Sequence, residues 1–272
     1  MGKQQKSYDV GFVGGGNMAE ALVKGLVASG REPESIVVAE PDAKKRAAMA
    51  RRFRVATTAD NNEVVARSRT VILAVKPQIL GDVMASLAPT GRELFVSIAA
   101  GVTLARLEKG LGGKARVVRV MPNTPCLVGK GASVICAGSH ATAADVKLVR
   151  QIFAAVGDAH LIEDEKLLHL VTALSGSGPA YVYRFAEALI EAAAKGGMKP
   201  ELARSLTYQT LAGAAQMMIE TGQEPADLRK AVSSPGGTTL AGLGHLDDKG
   251  FVDAVKGAVA AASKRSVELG KA

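Results

Sequence analysis

The feature that most constrains the fold is a glycine-rich turn near the start of the chain. The apolar, β-branched run Val10–Val13 has the character of a buried strand, and the segment Met18–Ser29 carries apolar residues at helical spacing. Between them stand Gly14, Gly15 and Gly16. Because glycine allows a chain to turn sharply from a strand into a helix, this region predicts the opening of a βαβ unit.

The same alternation of strands and helices continues through the first half of the chain. Further strands are predicted at Ile36–Ala39, Thr70–Val75, Leu94–Ile98, Val117–Met121, Ala132–Cys136 and His160–Ile162. Helices are predicted between them at Ala43–Arg52, Gln78–Ser86, Thr103–Leu111 and Ala143–Val156. This order favours a parallel, doubly wound sheet of the Rossmann type.

The second half of the chain has a different pattern, in which no strand is predicted from Lys166 onward. Alanine- and leucine-rich segments with helical spacing are found at Pro179–Lys195, Pro200–Thr221, Ala226–Val232 and Gly250–Lys271. The predicted fold class is therefore α/β, with a Rossmann domain over residues 7–164 and an all-helical domain over residues 165–272.

Composition excludes several classes of protein. Cys126 and Cys136 are the only cysteines, which is too few for a disulfide framework or a zinc site, and no metal is expected. The start of the chain does not resemble a signal peptide, and no apolar stretch is long enough to span a membrane, so a cytoplasmic protein without membrane contact is expected. The net charge is +8, but aromatic residues make up only 4% and the basic residues are scattered, which argues against nucleic-acid binding.

The glycine turn also predicts a chemical function. In Gly14-Gly15-Gly16-Asn17-Met18-Ala19, small residues let the backbone approach a pyrophosphate, which the N–H groups at the start of the helix can bind. Glu40 follows the second strand, where an acidic residue commonly accepts the adenosine ribose hydroxyls and favours NAD. Lys44, Lys45 and Arg46 could instead meet the 2′-phosphate of NADP, so the choice between NADH and NADPH stays open.

Three more loops are predicted at the carboxyl ends of strands, where open α/β sheets bind their ligands. They are Ala74-Val75-Lys76-Pro77, the loop containing Ala99-Ala100-Gly101, and Met121-Pro122-Asn123-Thr124-Pro125. Small residues keep the first two tight enough for a dinucleotide to lie across them. The two prolines stiffen the third, which could border the nicotinamide.

Two glycine- and serine-rich stretches interrupt the helical half. In Ser175-Gly176-Ser177-Gly178-Pro179-Ala180-Tyr181 the proline is well placed to start a helix, so a capped helix and a substrate role both fit. The second stretch, Val232 to Leu240, contains Ser234-Pro235-Gly236-Gly237-Thr238-Thr239. Its consecutive N–H groups and hydroxyls can bind a carboxylate without arginine, although a plain helix-loop-helix corner is the alternative.

Taken together, these motifs resemble the pyrroline-5-carboxylate reductase family, and the resemblance extends from Val10 to Leu269. It implies NADPH or NADH as cofactor, a small cyclic imine as substrate, and a homodimer of interlocked helical domains that can assemble into decamers. The loops and the resemblance together place cofactor contacts at Val13, Gly14, Gly15, Gly16, Asn17, Met18, Glu40, Asn61, Ala74, Val75, Lys76, Pro77, Ala99, Ala100, Gly101 and Asn123. The resemblance places substrate contacts at Glu165, Val232, Ser234, Gly237, Thr238 and Thr239. Position 231 is alanine where some relatives carry a polar residue, so a side-chain contact is lost there.

The reduction of an imine needs a hydride at carbon and a proton or hydrogen-bond donor at nitrogen. The loop Ser234–Thr239 contains no histidine or lysine, so the Thr239 hydroxyl is the best local donor, unless the substrate arrives already protonated. A β-hydroxyacid-dehydrogenase-like enzyme would be expected to place a lysine on the substrate helix, and none follows Tyr181 before Lys195. A non-catalytic dinucleotide sensor would keep the glycine turn without needing the Ser234–Thr239 loop.

Overall fold

The computed structural model describes residues 7–271, which form two compact units. The first unit contains the chain up to Ser177 together with the residues from Ala261 onward, and the second contains Gly178–Ala260. The last helix therefore begins in the second unit and ends in the first. The compact units divide after Ser177, whereas the sequence predicts a domain boundary between residues 164 and 165. That predicted boundary between cofactor-binding and substrate-binding domains stays a prediction.

The first unit is built on one eight-stranded sheet in the order β3-β2-β1-β4-β5-β6-β7-β8. Its strands are β1 (Tyr8–Val13), β2 (Ile36–Ala39), β3 (Ala56–Thr58), β4 (Ser68–Leu73), β5 (Leu94–Ser97), β6 (Arg116–Met121), β7 (Gly131–Ala137) and β8 (Gly157–Ile162). All neighbouring strands are parallel except β6 and β7. The antiparallel pair arises because a short 3₁₀ turn, Thr124–Val128, joins these two strands where a parallel pair needs a longer crossover.

Helices cover the two faces of this sheet. They are α1 (Asn17–Ala28), α2 (Ala43–Phe53), α3 (Asn61–Arg67), α4 (Pro77–Ser86), α5 (Leu104–Gly110), α6 (Ala143–Ala154) and α7 (Leu167–Val171). Two hydrophobic clusters result, one that includes Phe12, Leu22 and Phe153 and one that includes Leu73 and Phe95. The predicted Rossmann-type sheet is confirmed, and its central strands β1, β2, β4, β5 and β6 are largely buried on both faces.

The sequence predicts no element between Phe53 and Ser68, but the structure forms β3 and α3 there. Both are short, and β3 is only half-buried, so the apolar pattern is weak. Asp60 caps α3 by accepting a hydrogen bond from the Asn62 N–H at 2.8 Å, and Glu63 follows three residues after Asp60. Two acidic residues three positions apart are a signal for the start of a helix, and a search for apolar periodicity alone does not detect it.

The second unit is helical, as predicted. It contains α8 (Gly178–Lys195), α9 (Pro200–Thr221), α10 (Pro225–Ala231), α11 (Thr238–Asp248) and the first part of α12 (Phe251–Lys271). The sequence predicts only a short helical turn after Gly237, and this is wrong because α11 runs for 11 residues. No helix within residues 7–271 is long and apolar enough to cross a lipid bilayer.

Candidate dinucleotide and substrate sites

The glycine turn has the geometry of a dinucleotide-binding loop. Gly14 has a φ of +101°, a backbone conformation that L side chains rarely adopt, and a Cβ built on it would lie 2.8 Å from the carbonyl oxygen of Ala74. Gly16 is exposed and precedes α1 without any side-chain cap, so the first N–H groups of the helix are left available to a ligand. A cavity of about 180 Å³ opens beside the turn, with Lys45 and Arg52 in its lining. Glu20, which is ion-paired with Arg52, also lines the cavity, so the uncapped N–H groups of α1 are what suits this space to a pyrophosphate.

Glu40 lies directly against this turn. Its Oε2 accepts a hydrogen bond from the Gly15 N–H at 3.1 Å, and its Oε1 accepts one from the Asp42 N–H at 3.1 Å. Arg46 donates to the carbonyl oxygens of Glu40 and Pro41, at 2.7 and 2.8 Å, so its guanidinium lies at the same corner. An acidic and a basic side chain thus lie together at the predicted ribose position.

Hydrogen bonds between loops bring the predicted cofactor residues to one edge of the sheet. Gly14 N–H donates to Ala39 O at 2.9 Å, and Ala74 N–H donates to Val13 O at 2.8 Å. Ile98 N–H, just before the Ala99–Gly101 loop, donates to Leu73 O at 3.3 Å. Val13, Glu40, Ala74 and Ala99 therefore follow or end four neighbouring strands along a continuous carboxyl edge.

The remaining cofactor candidates on this edge lie at the starts of helices. Lys76 is exposed and precedes α4, which begins at Pro77. Asn61 begins α3, after strand β3, and is half-buried. Asn17 begins α1 and is exposed, whereas Met18 is partly buried against the core. Their contacts with a cofactor stay predictions.

Asn123 has an amide that is already used within the protein. Its Nδ2 donates to Ser175 O at 3.0 Å, and its Oδ1 accepts a hydrogen bond from the Ala132 N–H at 2.9 Å. These bonds join the loop after β6 to the start of β7 and to the chain after α7. The predicted contact of Asn123 with a cofactor stays a prediction.

The chain after α7 follows the sheet edge closely. Thr172–Gly176 forms a π-helical turn, in which Ser177 N–H donates to Thr172 O at 2.8 Å. A Cβ built on Gly176 would lie 2.7 Å from the Cε atom of Met121, so only glycine fits here without displacing that side chain. Turns of this kind are frequent at functional sites.

Sequence reasoning missed an ion pair on the same edge, between the buried Arg119 and the partly exposed Glu165. Arg119 is 1% exposed, and its Nη1 donates to Glu165 Oε1 at 2.6 Å. The same oxygen accepts the N–H of Leu104, the first residue of α5, at 2.7 Å. An arginine in the middle of a strand whose other inner residues are valines, Val117, Val118 and Val120, is the signal that could have revealed this pair.

His169 lies close enough to this ion pair for the charges of both residues to act on its pKa. Its Nδ1 is 3.0 Å from the Oγ of Ser266, which is buried. Burial lowers the pKa of His169 below its usual 6.5, and the charge of Arg119 lowers this pKa further, while the charge of Glu165 acts in the opposite direction. The neutral imidazole is therefore favoured.

The predicted substrate residues are divided between the units, with Glu165 in the first and Val232–Thr239 in the second. Within the second unit, Gly237 N–H donates to Ser234 O at 3.0 Å, and Gly236 adopts a φ of +69°. A Cβ built on Gly237 would lie 2.5 Å from the Ser234 Oγ and 3.0 Å from the Ser234 carbonyl oxygen, so a larger residue here would displace the serine hydroxyl and crowd the turn. The turn leads directly into α11.

The first turn of α11 carries the predicted catalytic residue. Gly237 precedes the helix, and no side chain caps its N–H groups. Thr238 is exposed and Thr239 is half-buried, and neither hydroxyl makes a hydrogen bond within the described part of the chain. Exposed N–H groups next to unpaired hydroxyls can bind a carboxylate and leave a hydroxyl to act on the substrate.

Other chemistry has little support in residues 7–271. Over that range, no group of three or more His, Cys, Asp or Glu side chains could hold a metal ion. Cys126 and Cys136 are free and buried, and burial raises the pKa of both thiols. Thiols of this kind are poor nucleophiles.

Comparison with known proteins covers both halves of the chain. Residues 165–269 match the family model described as pyrroline-5-carboxylate reductase dimerisation, and residues 9–101 match the one described as NADP oxidoreductase coenzyme F420-dependent. The pyrroline-5-carboxylate reductase of Pisum sativum is 43% identical over 266 residues, which are 97% of this chain and 96% of that protein.

Solved structures agree with this assignment. A pyrroline-5-carboxylate reductase from Coxiella burnetii superposes with a TM-score of 0.89 at 38% identity, covering 98% of this chain and 100% of the other. The Plasmodium falciparum pyrroline carboxylate reductase, solved with NADP bound, superposes with a TM-score of 0.87 at 35% identity, covering 97% and 99%. The chain belongs to the pyrroline-5-carboxylate reductase family.

Proposed function

We propose that this protein reduces the C=N bond of 1-pyrroline-5-carboxylate with NADPH or NADH and produces L-proline, the last step of proline biosynthesis. The observation that carries the proposal is the similarity over nearly the whole chain, through both units, to proteins named for this reaction. The geometry supports it, because a dinucleotide loop lies in one unit and an uncapped anion-binding helix start lies in the other.

The residues present fit a nicotinamide dinucleotide. The positive φ of Gly14 and the uncapped start of α1 give the pyrophosphate its close approach, and Glu40 and Arg46 stand at the ribose end. Along the strand order β2-β1-β4-β5 the ribose end at Glu40 and the glycine turn come first, so we place the nicotinamide end beside the Ala99–Gly101 loop, which follows β5. When bound, the cofactor supplies the hydride.

In the reaction, one hydride joins the imine carbon and one proton joins the ring nitrogen, while the C=N double bond becomes a single bond. We place the substrate carboxylate on the free N–H groups of Thr238 and Thr239 in the first turn of α11, next to Gly237, whose own N–H is bonded to Ser234 O. We assign hydrogen-bond donation at the ring nitrogen to the half-buried Thr239 hydroxyl, which has no other partner within the described residues. Val232 and Ser234 complete this part of the site within the second unit, and the substrate contact predicted for Glu165 stays a prediction.

We further propose that the protein works in the cytoplasm as a homodimer, with a decamer as its larger assembly. The helical unit supports this, because α9 exposes large apolar side chains that a monomer would leave in water: Leu202, Leu206, Met217, Met218 and Ile219. The two buried free thiols are compatible with a reducing compartment.

The direct test measures oxidation of NADH and of NADPH at 340 nm with 1-pyrroline-5-carboxylate, each cofactor varied separately. Turnover with at least one cofactor, and chromatographic detection of proline in equal amount, is expected. Tight dinucleotide binding without turnover would favour a sensor instead. Turnover of a β-hydroxyacid but not of the imine would favour the dehydrogenase alternative.

A further inference from the structure

The ion pair between Arg119 and Glu165 stands at the sheet edge where the cofactor loops meet. Arg119 lies opposite Ser97, the last residue of β5, in the register between β5 and β6. The Ala99–Gly101 loop begins two residues after Ser97. The backbone of Arg119 is therefore nearly level with the start of the loop beside which we place the nicotinamide end.

The Glu165 carboxylate fixes the other end of this loop. Its Oε1 accepts hydrogen bonds from Arg119 Nη1 at 2.6 Å and from the Leu104 N–H at 2.7 Å. Thr103, the residue before Leu104, caps α5 by accepting a hydrogen bond from the Arg106 N–H. The chain from Ala99 to Leu104 is thus held at its exit by a single carboxylate oxygen, and that oxygen is held by Arg119.

Stability does not explain why this strand keeps an arginine. Arg119 is 1% exposed, and its Nη2 is buried without a hydrogen-bond partner. A buried charge with an unsatisfied donor opposes folding, and apolar residues of similar volume often replace buried ion pairs without loss. The neighbouring valines Val117, Val118 and Val120 show that this strand otherwise uses apolar side chains.

We propose that Arg119 is a positioning residue for the reduction, acting through Glu165 to hold the Ala99–Leu104 segment where the nicotinamide binds. The inference rests on the proposed function for its kinetic consequence. Its structural consequence, an anchored loop, is independent of any activity. Rigid support behind a site matters because a small displacement of the reacting groups costs much of the rate.

The matched control is Arg116, on the same strand as Arg119. Its Nη1 bonds Asp145 Oδ1 at 2.7 Å, and its Nη2 donates to Arg92 O. Arg116 begins β6, at the amino end of the strand and away from the predicted cofactor loops. Arg116→Met therefore removes an arginine and an ion pair from the same strand without touching the Ala99–Leu104 segment.

The experiment compares full-length Arg119→Met, Glu165→Ala, the double variant and Arg116→Met. We expect Arg119→Met to lower kcat about tenfold and to raise the KM for NADPH or NADH several-fold, whereas Arg116→Met stays within about twofold of wild type. If Arg119 acts only through Glu165, the double variant is no slower than Glu165→Ala. If Glu165→Ala does not fold, Glu165→Gln, which keeps an oxygen to accept the Leu104 N–H but loses the charge, replaces it in the same comparison.

Amide hydrogen exchange supplies a readout that needs no turnover. In Arg119→Met the segment from Ala99 to Leu104 should exchange faster than in wild type, and in Arg116→Met it should not. If the wild-type protein binds dinucleotide but reduces no imine, the proposed function fails while exchange and dinucleotide titration still decide the role of Arg119. A variant Arg119→Met that loses thermal stability but keeps wild-type kcat, KM and exchange at this segment would overturn the proposal.

Discussion

The backbone N–H of Gly15 donates a hydrogen bond to the carboxylate of Glu40, with 3.1 Å between nitrogen and Oε2. This contact joins the glycine turn after β1 to the end of β2. It fixes a negative charge beside the place where the adenosine ribose of a dinucleotide is predicted to bind. Arg46 stands at the same corner, so the balance between these two charges bears on the choice of cofactor.

The first prediction follows from this charge. Glu40→Ser removes the carboxylate that would repel a 2′-phosphate and leaves Arg46 in place. The ratio of kcat/KM for NADPH to kcat/KM for NADH should rise about tenfold, a change of about 1.4 kcal/mol. Glu34→Ser, in the 3₁₀ turn before β2, is the control and should leave the ratio unchanged. An unchanged ratio in Glu40→Ser would remove Glu40 from cofactor selection.

The second prediction concerns the proton. Thr239→Ala removes a hydroxyl but keeps the backbone N–H groups of the first turn of α11. Turnover should slow roughly 10²-fold, about 2.7 kcal/mol, because a single preorganised donor is worth that much. The affinity for dinucleotide should hardly change.

Thr238→Ala is the matched control, since Thr238 is the exposed neighbour on the same turn, and its effect should be milder. Single-turnover measurements separate hydride transfer from product release. Wild-type rates for Thr239→Ala under those conditions would mean that solvent or the protonated substrate supplies the proton.

The third prediction concerns assembly through α9. Ile219 is 74% exposed in the isolated chain, and Met217 and Met218 lie beside it. Ile219→Lys places a charge on this apolar face and should shift light-scattering mass toward the monomer at micromolar concentration. Gln223→Lys, just beyond the helix, should leave the mass unchanged. A wild-type protein that is itself a stable monomer would contradict the proposed dimer.

The fourth prediction concerns pH. The pKa of His169 is lowered from 6.5 by burial first and by Arg119 second, against the opposite effect of Glu165. Between the folded-state pKa and 6.5 the unfolded chain binds more protons, so this group makes stability fall as pH falls through that window. Urea unfolding at about pH 7.5 and about pH 5.5 should therefore show a larger loss of unfolding free energy in wild type than in His169→Gln. Equal losses would indicate that His169 is not the group responsible.

Much of the first unit could be predicted from local pattern. The strands with continuous apolar runs, such as Val10–Val13 and Ile36–Ala39, are found where the sequence places them, because burial on both faces of a parallel sheet demands such runs. The loops at the carboxyl ends of these strands could be predicted as well, because each one directly follows a predicted strand. The strand Ala56–Thr58 was missed because three half-buried residues carry no periodicity.

The sequence alone determined the order of strands, turns and helices in the first unit and the motifs that mark the family, since these depend on residues close together in the chain. Tertiary structure alone decided which distant groups meet. Glu165 reaches the N–H of Leu104, 61 positions away, and Arg119, 46 positions away. The side-chain amide of Asn123 is hydrogen-bonded to the backbone of Ser175 and of Ala132, which lie far from it in the sequence or on the next strand. A hydrogen bond between such residues depends on how the sheet orders its strands, and no local spacing in the sequence encodes that order.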